Sequence, residues 1–594
     1  MPHAPLPIPH SGPADRTFRR QTLLVWLGLC LLTLIINGPN IAEVRFPDPD
    51  DLLRLQQVRD WIGGQSWFDL HQYRIASPAG AAMHWTRLID PPIAAVILAL
   101  RPLLGQDLAE LIAVTLIPLL TLGCVTALVA RFARRMFGSE VGIFALLVLA
   151  VSVPVLHQLR PLRIDHHGWQ IVMALIALNG AFAGNSRKGA TIAGLALAFW
   201  LTISIEGLPL AAAFMGLFAL RWLRDAGNSA WLSHGMAALA LGSGLFWLLG
   251  HHPADLAIPY CDVVSGAHLA LLGISAAGCF LATRLRELHL WQQVVVLALA
   301  ASAGVGAAAW LAPACARGGA FAALDPVVRE FWYMRVYEGL PLWYQGTSKA
   351  IQTVCLPALA LVGLCLTWRR ATSGRWIWIE YALLVMAALG VAMLVERAAA
   401  VAAAFAAPAA AAQVRRWLDH ARTLASPAER GGLMLVSLLA LVPAIPVQTI
   451  INLFAPQQHA LERQVRKNAK CELAGNLART NVLPPADFLT TLDLGPALIH
   501  ASHHRIVASG HHRSSAAMRD VIDAFRGTPD QAQAIARRHG IEYVAYCPGL
   551  FEPMIYEAEA PGGFMAQLDR GVVPSWLEPI RLKGVTGLKL YRVR

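Results

Sequence analysis

The chain has 594 residues, of which 56% are hydrophobic and 14% charged, and its mean hydropathy is +0.50. This composition excludes an ordinary soluble domain, because many apolar stretches reach the roughly 20 residues that a helix needs to cross a bilayer. The formal net charge of +12 resembles that of a nucleic-acid-binding protein. Most Arg and Lys residues, however, lie in short loops between apolar stretches, where a positive excess fixes cytoplasmic orientation. We therefore predict a polytopic α-helical membrane protein whose partners include the lipid bilayer and no nucleic acid.

The N-terminal residues 1–20 are rich in proline and arginine and predict a disordered cytoplasmic tail. The apolar stretch 21–38 is the first predicted span. Since it ends without a small-residue cleavage pattern, it predicts a retained anchor and not a removed signal peptide.

The first external loop, residues 39–107, has mixed character. Within it, Leu52, Leu55 and Val58 recur at helical spacing and predict an amphipathic helix over residues 51–62, lying along the membrane interface. The apolar stretch 93–104 is too short to cross a bilayer alone and is interrupted by an Arg-Pro pair. We expect it at the membrane surface.

Residues 21–453 predict a membrane domain in which apolar stretches alternate with short loops. Every second loop is basic, and this alternation predicts about thirteen spans, which places the C-terminus outside. A second long external loop covers residues 312–348. After the first span, the predicted spans are 108–130, 140–157, 168–184, 189–205, 207–222, 230–250, 265–283, 292–311, 349–367, 377–395, 398–413 and 431–453.

Residues 454–594 have ordinary composition, with strand-like runs such as 543–546 and helix-like runs such as 530–539. This mixture predicts a soluble α/β domain on the outer side of the membrane, periplasmic or extracellular. It contains Cys471 and Cys547, which would pair in an oxidising compartment and stay free otherwise.

Two polar clusters stand out beside predicted spans. Asp48, Asp50 and Asp51 lie within four positions, and carboxylates so close repel one another unless a cation joins them. The second cluster is Asp165-His166-His167. Taken separately, the two are also compatible with a solvated loop and a helix cap. Together they form a carboxylate and imidazole set suited to Mn²⁺ or Mg²⁺.

Three further charged residues are candidates for the site. Two lie at the ends of predicted spans, and the third lies in the second external loop. Glu206 lies where two spans meet, and an acidic group there indicates function unless it simply reaches water. Arg397 is suited to an anionic headgroup or phosphate, or to snorkelling towards the interface. Glu338 lies in the loop 312–348, which is long enough to be a functional lid or binding loop.

The ordered motifs resemble the catalytic subunit of oligosaccharyltransferases, within the GT-C superfamily of polyprenyl-linked glycosyltransferases. Asp48-Pro49 followed by Arg54 resembles the first-loop motif of that family, and Asp165-x-His167 its second metal motif. Glu338 and Arg397 occupy the places of a loop glutamate and of an arginine near the lipid diphosphate.

This resemblance implies a set of roles. Asp48, Asp165 and His167 would hold Mn²⁺ or Mg²⁺, Glu338 would contact the cation or the acceptor, and Arg397 with His166 would bind the donor phosphate. Asp48, Asp165 and Glu338 would be the catalytic carboxylates. The implied reaction is metal-dependent transfer of a sugar or oligosaccharide from a polyprenyl-phosphate or -diphosphate donor, at the outer face of a cytoplasmic (inner) membrane.

The acceptor is left open by one departure from the family pattern. The family reads its acceptor with Trp-Trp-Asp-Tyr-Gly, and the corresponding stretch here keeps only Asp493 and Gly495. A protein, a glycan and a lipid are all possible acceptors. The histidines at 503–504 and 511–512 are candidates for binding an anionic acceptor or are exposed loop residues.

Two other functions stay open on sequence alone. A multi-span transporter of a lipid-linked or anionic solute would place charges midway through its spans, whereas the charges here cluster at span ends. A non-catalytic membrane scaffold would use the C-terminal domain to bind a partner.

Overall fold

The computed structural model describes residues 13–285, 288–319, 321, 324–454, 471 and 473–594. Up to residue 454 the described chain is almost entirely helical. Its first helices are α1 (Pro13–Ala42), α2 (Pro49–Ile62), α3 (Pro91–Leu104), α4 (Gln106–Phe137), α5 (Ser139–Ala150), α6 (Val153–Gln158), α7 (His167–Ala181), α8 (Ser186–Ile203), α9 (Leu208–Arg224) and α10 (Ser229–Gly250). They are followed by α11 (Gly266–Arg284), α12 (Leu290–Leu311), α13 (Pro313–Gly318), α14 (Pro326–Phe331), α15 (Thr347–Arg370), α16 (Trp376–Leu394), α17 (Ala399–Thr423), α18 (Pro427–Leu439) and α19 (Ala444–Phe454).

Nine helices of the described chain are long and apolar enough to cross a membrane, or ten if α18 and α19, bent by 90°, count as one span. The chain is therefore a multi-pass membrane protein, but the predicted count of about thirteen is not confirmed by helix length and composition. The predicted spans 140–157 and 168–184 illustrate the difference. Helices α5 and α7 have 12 and 15 residues, too few for a hydrocarbon core about 30 Å thick. Most of α7 is buried among other helices, so its apolar residues face protein.

The N-terminal prediction needs a correction. Helix α1 begins at Pro13, so residues 13–20 extend the first span instead of forming a disordered tail, while residues 1–12 lie outside the described residues. The extension has a local cause. Asp15 in the first turn pairs with Arg19 one turn later at 2.8 Å and with Arg134 of α4 at 2.6 Å.

Helix α2 forms as predicted but is not an isolated interfacial helix. Asp48 caps it by accepting the backbone N–H of Asp50 at 3.0 Å, and Pro49 starts its first turn. One side packs on the membrane domain, where Leu55 and Val58 share a buried cluster with residues of α3 and α4. Leu53 on the other side is buried against the C-terminal domain. Helix α2 therefore joins the two parts of the molecule.

The C-terminal part is the predicted α/β domain. The first external loop contributes a separate small pair of strands, β1 (His71–Gln72) and β2 (Ala81–Ala82). The sheet of the C-terminal domain consists of β3 (Asp487–Thr490), β4 (Arg505–Ile506), β5 (Tyr543–Tyr546), β6 (Leu577–Pro579) and β7 (Lys589–Val593). This five-stranded mixed sheet has the strand order β4-β3-β5-β7-β6, with β3 parallel to β4 and β5, and β7 antiparallel to β5 and β6. Its helices are α20 (Leu473–Ala478), α21 (Leu494–Ala501), α22 (Ser515–Arg526), α23 (Pro529–Arg538), α24 (Phe551–Glu559) and α25 (Phe564–Asp569).

Both predicted external loops dock on this domain. In the first, the backbone of Ile506 at the sheet edge donates to the carbonyl of Arg74 at 2.8 Å and accepts the N–H of Ala76 at 3.0 Å. In the second, Val328 and Phe331 of α14 enter the buried core of the domain. The predicted boundary at residue 454 falls beside residues 455–470, which are outside the described residues.

Two disulfide bonds join distant segments. One links Cys471 to Cys547, so the paired interpretation of these cysteines is confirmed. The other links Cys261 to Cys315 and ties the segment after α10 to α13. No sequence pattern predicts this second bond, because its cysteines lie beside predicted spans without a recognisable spacing.

Candidate active site

A cavity of about 580 Å³ lies between the helical bundle and the C-terminal domain. Its lining comes from segments far apart in sequence: both external loops, the turns before α9 and α17, and the start of α21 with the loop before α22. The charged and imidazole side chains that line it include Asp48, Asp50, His84, His166, Glu206, Asp262, Glu338, Lys349, Arg397, Asp493, His511 and His512. A larger cavity of about 890 Å³ between α1 and α4 contains none of the predicted site residues.

The centre of the acidic cluster is Arg163, which the sequence analysis did not select. Its guanidinium is 1% exposed. It lies 3.1 Å from Asp48, 3.3 Å from Asp51, 3.1 Å from Asp165 and 3.4 Å from Glu338, in each case measured from a guanidinium nitrogen to a carboxylate oxygen. The two acidic clusters do meet, as predicted, and a protein cation lies between them. The one available signal was an Arg only two positions before Asp165.

Asp51 anchors the second cluster through the backbone. Its Oδ1 accepts the N–H groups of Ile164 and Asp165, at 2.8 and 3.0 Å. Asp51 is fully buried, so these bonds and Arg163 offset the loss of its hydration. Burial nevertheless raises the pKa of Asp51, and burial with the neighbouring Asp48 charge raises that of Asp50.

His167 is held in one tautomer by a chain of side chains. The indole N–H of Trp200 can only donate, and it donates to Gln170 Oε1 at 3.3 Å. Gln170 Nε2 therefore donates to His167 Nδ1, at 3.2 Å. A neutral His167 must then carry its proton on Nε2, which lies 3.4 Å from Asp165 and 3.8 Å from Glu338. The Nε2 proton of His167 therefore faces the two carboxylates.

Asp165 and Glu338 are both ionised in this environment. Burial opposes ionisation of Asp165, but Arg163 and the adjacent imidazoles lower its pKa to about 2. Burial likewise opposes ionisation of Glu338, yet the nearby His167 imidazole and the charges of Arg163 and Arg397 hold its pKa well below the usual range. The cavity wall is therefore anionic, with fixed cations inserted in it.

The fit of a divalent ion to Asp48, Asp165 and His167 follows from these contacts. Both carboxylates already face Arg163, and His167 presents a proton instead of a lone pair. In this arrangement the three residues do not fit Mn²⁺ or Mg²⁺, which need unprotonated ligand atoms converging on one point. Within the described residues, a different trio of His and carboxylate ligand atoms comes within 4.8 Å of one another: His84, Asp262 and His512.

A second cationic position lies on the other side of Glu338 from Arg163 and shares that carboxylate. Arg397 hydrogen-bonds Glu206 and lies 3.4 Å from Glu338. Lys349, half exposed, pairs with Glu396 at 3.6 Å. His166 lines the same cavity, and its Nδ1 is buried without a hydrogen-bond partner among the described residues. Burial lowers the pKa of His166, so the ring is neutral. Glu206, Arg397 and His166 thus all line the same cavity.

Arg54 has a different environment from the other predicted residues. It is 1% exposed, donates to Asp90 Oδ1 at 3.0 Å and to the carbonyl of Thr86 at 3.1 Å, and its guanidinium lies 4.9 Å from the ring of Trp85. It does not line the cavity. These contacts fix the first external loop against α2.

The two remnants of the acceptor motif also differ from each other. Asp493 lines the cavity, and burial with the charge of Asp48 raises its pKa to about 6. Gly495 lies behind it, where an added Cβ would come within 2.5 Å of Ile506 Cδ1. Glycine at this position therefore permits close packing and does not contact the cavity.

Of the two predicted histidine pairs, only one lines the cavity. His503 and His504 lie within 3.0 Å of the carbonyls of Leu483 and Thr480 and do not reach the cavity. His511 and His512 line it.

Comparison with solved structures shows which known proteins share this architecture. It is similar to archaeal oligosaccharyltransferase AglB from Archaeoglobus fulgidus in complex with an inhibitory peptide and a dolichol-phosphate, with a TM-score of 0.63 and 13% identity over 89% of this chain and 69% of that one. The Archaeoglobus fulgidus enzyme tethered to an acceptor peptide containing the NVT sequon gives a TM-score of 0.58 and 14% identity, over 88% and 68%. Its complex with Zn and sulfate gives 0.57 and 15%, over the same shares.

A scan against protein-family models and a search of curated protein sequences return no match. The resemblance first seen in scattered motifs is thus confirmed in three dimensions, at an identity that establishes the fold and not the substrate. The chain is a multi-pass membrane protein with a fold like that of the archaeal oligosaccharyltransferase AglB.

Proposed function

We propose that this protein transfers a sugar or oligosaccharide from a polyprenyl-phosphate or polyprenyl-diphosphate donor to an acceptor on the outer face of the cytoplasmic membrane. The observation that most supports this is the cavity lined by Asp48, Glu338 and Arg397, behind which the buried Arg163 contacts Asp48, Glu338 and Asp165. The AglB-like fold supports it further, because AglB was solved with a dolichol-phosphate.

The donor phosphate would bind at Arg397 and Lys349. Both cations line the cavity and are held by carboxylates, so an incoming phosphate would compete with Glu206 and Glu396 for them. Fixed positive charge beside the leaving phosphate offsets the negative charge that develops as the glycosidic bond breaks. His166, neutral and unpartnered, would donate a hydrogen bond to a phosphate oxygen.

The acceptor would approach Asp48 and Glu338. These are the more accessible carboxylates around Arg163, with side chains 26% and 21% exposed, whereas Asp51 and Asp165 are buried. An exposed carboxylate can orient the acceptor nucleophile or take its proton. Arg163 would keep these carboxylates in place.

No step of the proposed reaction is assigned to Mn²⁺ or Mg²⁺, because the contacts of Asp48, Asp165 and His167 do not fit such an ion. The fixed guanidinium groups of Arg163 and Arg397 would supply positive charge next to the leaving phosphate.

The proposed outer location is supported by two disulfide bonds. Both lie in the parts that surround the cavity, and structural disulfides form in oxidising compartments. The sugar and the acceptor class stay open, since the aromatic walls of the family's acceptor motif are missing here.

The test uses purified full-length protein with labelled polyprenyl-phosphate and polyprenyl-diphosphate sugars, and with a sequon peptide, a glycan or a lipid as acceptor. Asp48→Asn and Arg397→Ala should each lower transfer by about 100-fold or more, as expected for loss of a proton acceptor or of a charge at the leaving group. Asp530→Asn, an exposed carboxylate on α23, is the matched control and should transfer normally.

Unchanged transfer in both cavity variants would contradict the assignment. If folded wild-type protein transfers no label from either donor to any acceptor class, the transporter and scaffold alternatives take its place. Repeating the assay with a chelator, and then with Mn²⁺ or Mg²⁺ restored, tests the predicted ion.

A further inference from the structure

A second cluster of ligand-type side chains lines the cavity apart from Arg163. We define the histidine–aspartate cluster as His84, Asp262 and His512, whose ligand atoms all lie within 4.8 Å of one another. His512 Nε2 is 2.8 Å from Asp262 Oδ2, and the ring centroids of His84 and His512 are 4.9 Å apart. Neither Asp48, Asp165 nor His167 belongs to this cluster.

Each member of the cluster comes from a different part of the molecule. His84 follows β2 in the first external loop, and His512 precedes α22 in the C-terminal domain. Asp262 lies between them in the segment after α10, next to Cys261, whose disulfide to Cys315 limits how far this segment can move. The three groups are thus held together by the tertiary structure.

Unpartnered imidazole nitrogens provide an independent sign of a ligand. His84 Nδ1 and His511 Nε2 are buried and have no hydrogen-bond partner among the described residues. His511 is only 2% exposed, lines the cavity, and its ring centroid is 5.5 Å from that of His84. Buried polar atoms in folded proteins are almost always partnered, so two orphaned imidazole nitrogens here indicate a partner that the described residues do not supply.

Asp262 is oriented for this role by Arg513. The guanidinium contacts both carboxylate oxygens, Nε to Oδ2 at 2.6 Å and Nη2 to Oδ1 at 2.9 Å. A carboxylate has about four lone-pair positions, and Oδ2 also accepts from His512 Nε2 at 2.8 Å, so one position stays free. The proton on His512 Nε2 would be released as an ion binds, because a metal ligand must be unprotonated. Hydrogen-bond partners behind metal ligands commonly fix ligand orientation in this way.

We propose that the histidine–aspartate cluster binds a divalent transition metal of the Zn²⁺ type, with His84, His512 and Asp262 as ligands. Imidazole-rich sets select such ions over Mg²⁺ and Ca²⁺, which prefer oxygen ligands. His511 is a further imidazole beside the set. The bound ion would hold the first loop, the segment after α10 and the C-terminal domain together over the cavity.

This site does not depend on the proposed function, and its test therefore measures metal binding and stability. Full-length protein in detergent is stripped with a chelator and titrated with Zn²⁺, with bound zinc per chain and Tm as readouts. Wild type should bind one Zn²⁺ and gain thermal stability, while Mg²⁺ at the same concentration should not raise Tm. His84→Ala and His512→Ala should each weaken zinc affinity by more than about 100-fold, since even the partners behind a ligand contribute 10–100-fold.

Three further variants distinguish zinc bound at this cluster from zinc bound elsewhere on the chain. His420→Ala, which removes an exposed imidazole from α17, should bind zinc like wild type. Asp165→Asn should also bind normally, because Asp165 belongs to the Arg163 cluster. Asp262→Asn keeps an oxygen for Arg513 and should fold, yet bind zinc weakly. Wild-type zinc affinity in both His84→Ala and His512→Ala, or its loss in Asp165→Asn, would overturn the proposal.

Discussion

At the scale of single residues, Arg163 determines the electrostatics of the site. It is a buried cation that contacts Asp48, Asp51, Asp165 and Glu338. The attraction between buried charges offsets their desolvation only when each is well paired, so the four carboxylates and the guanidinium depend on one another.

Replacing Arg163 should therefore destabilise the protein strongly. Arg163→Ala leaves buried carboxylates without a counter-ion, and we expect a loss of about 3–5 kcal/mol. Thermal unfolding in detergent measures it, with Arg163→Lys, which keeps the charge, as the milder comparison. Added Mn²⁺ or Mg²⁺ should raise the Tm of Arg163→Ala more than that of wild type, since the vacated position is surrounded by carboxylates. A variant as stable as wild type without added cation would contradict this account.

Glu552 supplies a pH-dependent contribution to stability. It is 7% exposed and accepts the N–H groups of Leu492 and Asp493 and the hydroxyl of Tyr556. Burial and the charge of Asp493 raise its pKa to about 8.

The pKa of Glu552 is raised on folding. At pH values between the usual glutamate range and about 8, the native state therefore keeps a proton on Glu552 that the unfolded state has released. Stability should therefore fall as pH rises through this window, by up to about 1.4 kcal/mol per pH unit from this group. Unfolding of wild type and Glu552→Gln at pH 5 to 8 tests the sign, and the variant should show the shallower dependence. Parallel curves would exclude Glu552 as the titrating group.

At the scale of elements, helix α2 combines a structural and a chemical task at its first residue. Asp48 both caps the helix and faces the cavity, so the two tasks can be separated by substitution. Asparagine caps helices about as well as aspartate but carries no charge. Alanine neither caps the helix nor carries a charge.

We therefore expect Asp48→Asn to be more stable than Asp48→Ala by about 0.5–2 kcal/mol, with both defective in transfer. Thermal unfolding of the two purified variants checks the difference, and the transfer assay is run on the same samples. Equal stability of the two would show that the cap contributes nothing at this position.

At the scale of the whole molecule, the cavity exists because the C-terminal domain docks on two loops of the membrane domain. The Cys261–Cys315 disulfide closes a sequence separation of 54 residues within the membrane part and fixes the segment that contains Asp262. The sheet edge at Ile506 and helix α14 provide further contacts between the two parts.

Removing this disulfide should loosen the wall of the cavity. The double variant Cys261→Ser with Cys315→Ser is expected to lose about 2–4 kcal/mol, the usual contribution of a disulfide that closes a long loop. Its zinc affinity should fall too, because Asp262 is adjacent to Cys261. The Tm of the double variant is compared with that of wild type in the same buffer without reductant, which leaves the Cys471–Cys547 bond intact in both, and equal values would contradict the expectation.

Patterns local in sequence determined much of the fold. Helical spacing placed α2 correctly, a strand-like run located β5, a helix-like run located α23, and scattered motifs indicated the oligosaccharyltransferase-like fold. The convergence of Asp48 and Asp165 could be expected from their positions at span ends. The number of spans could not, because an apolar helix such as α7 has the same composition whether its neighbours are lipid or protein.

The tertiary structure alone decided what lies between the converging groups. Arg163 and Asp51 are 112 positions apart, and no sequence periodicity links an arginine to the carboxylates it will contact. The tautomer of His167 is likewise set by Trp200 through Gln170. The cluster of His84, Asp262 and His512 forms because the first external loop and the segment after α10 dock on the C-terminal domain. Side-chain patterns determine local conformation through short-range forces, whereas a buried polar site depends on which distant groups packing brings into hydrogen-bond range.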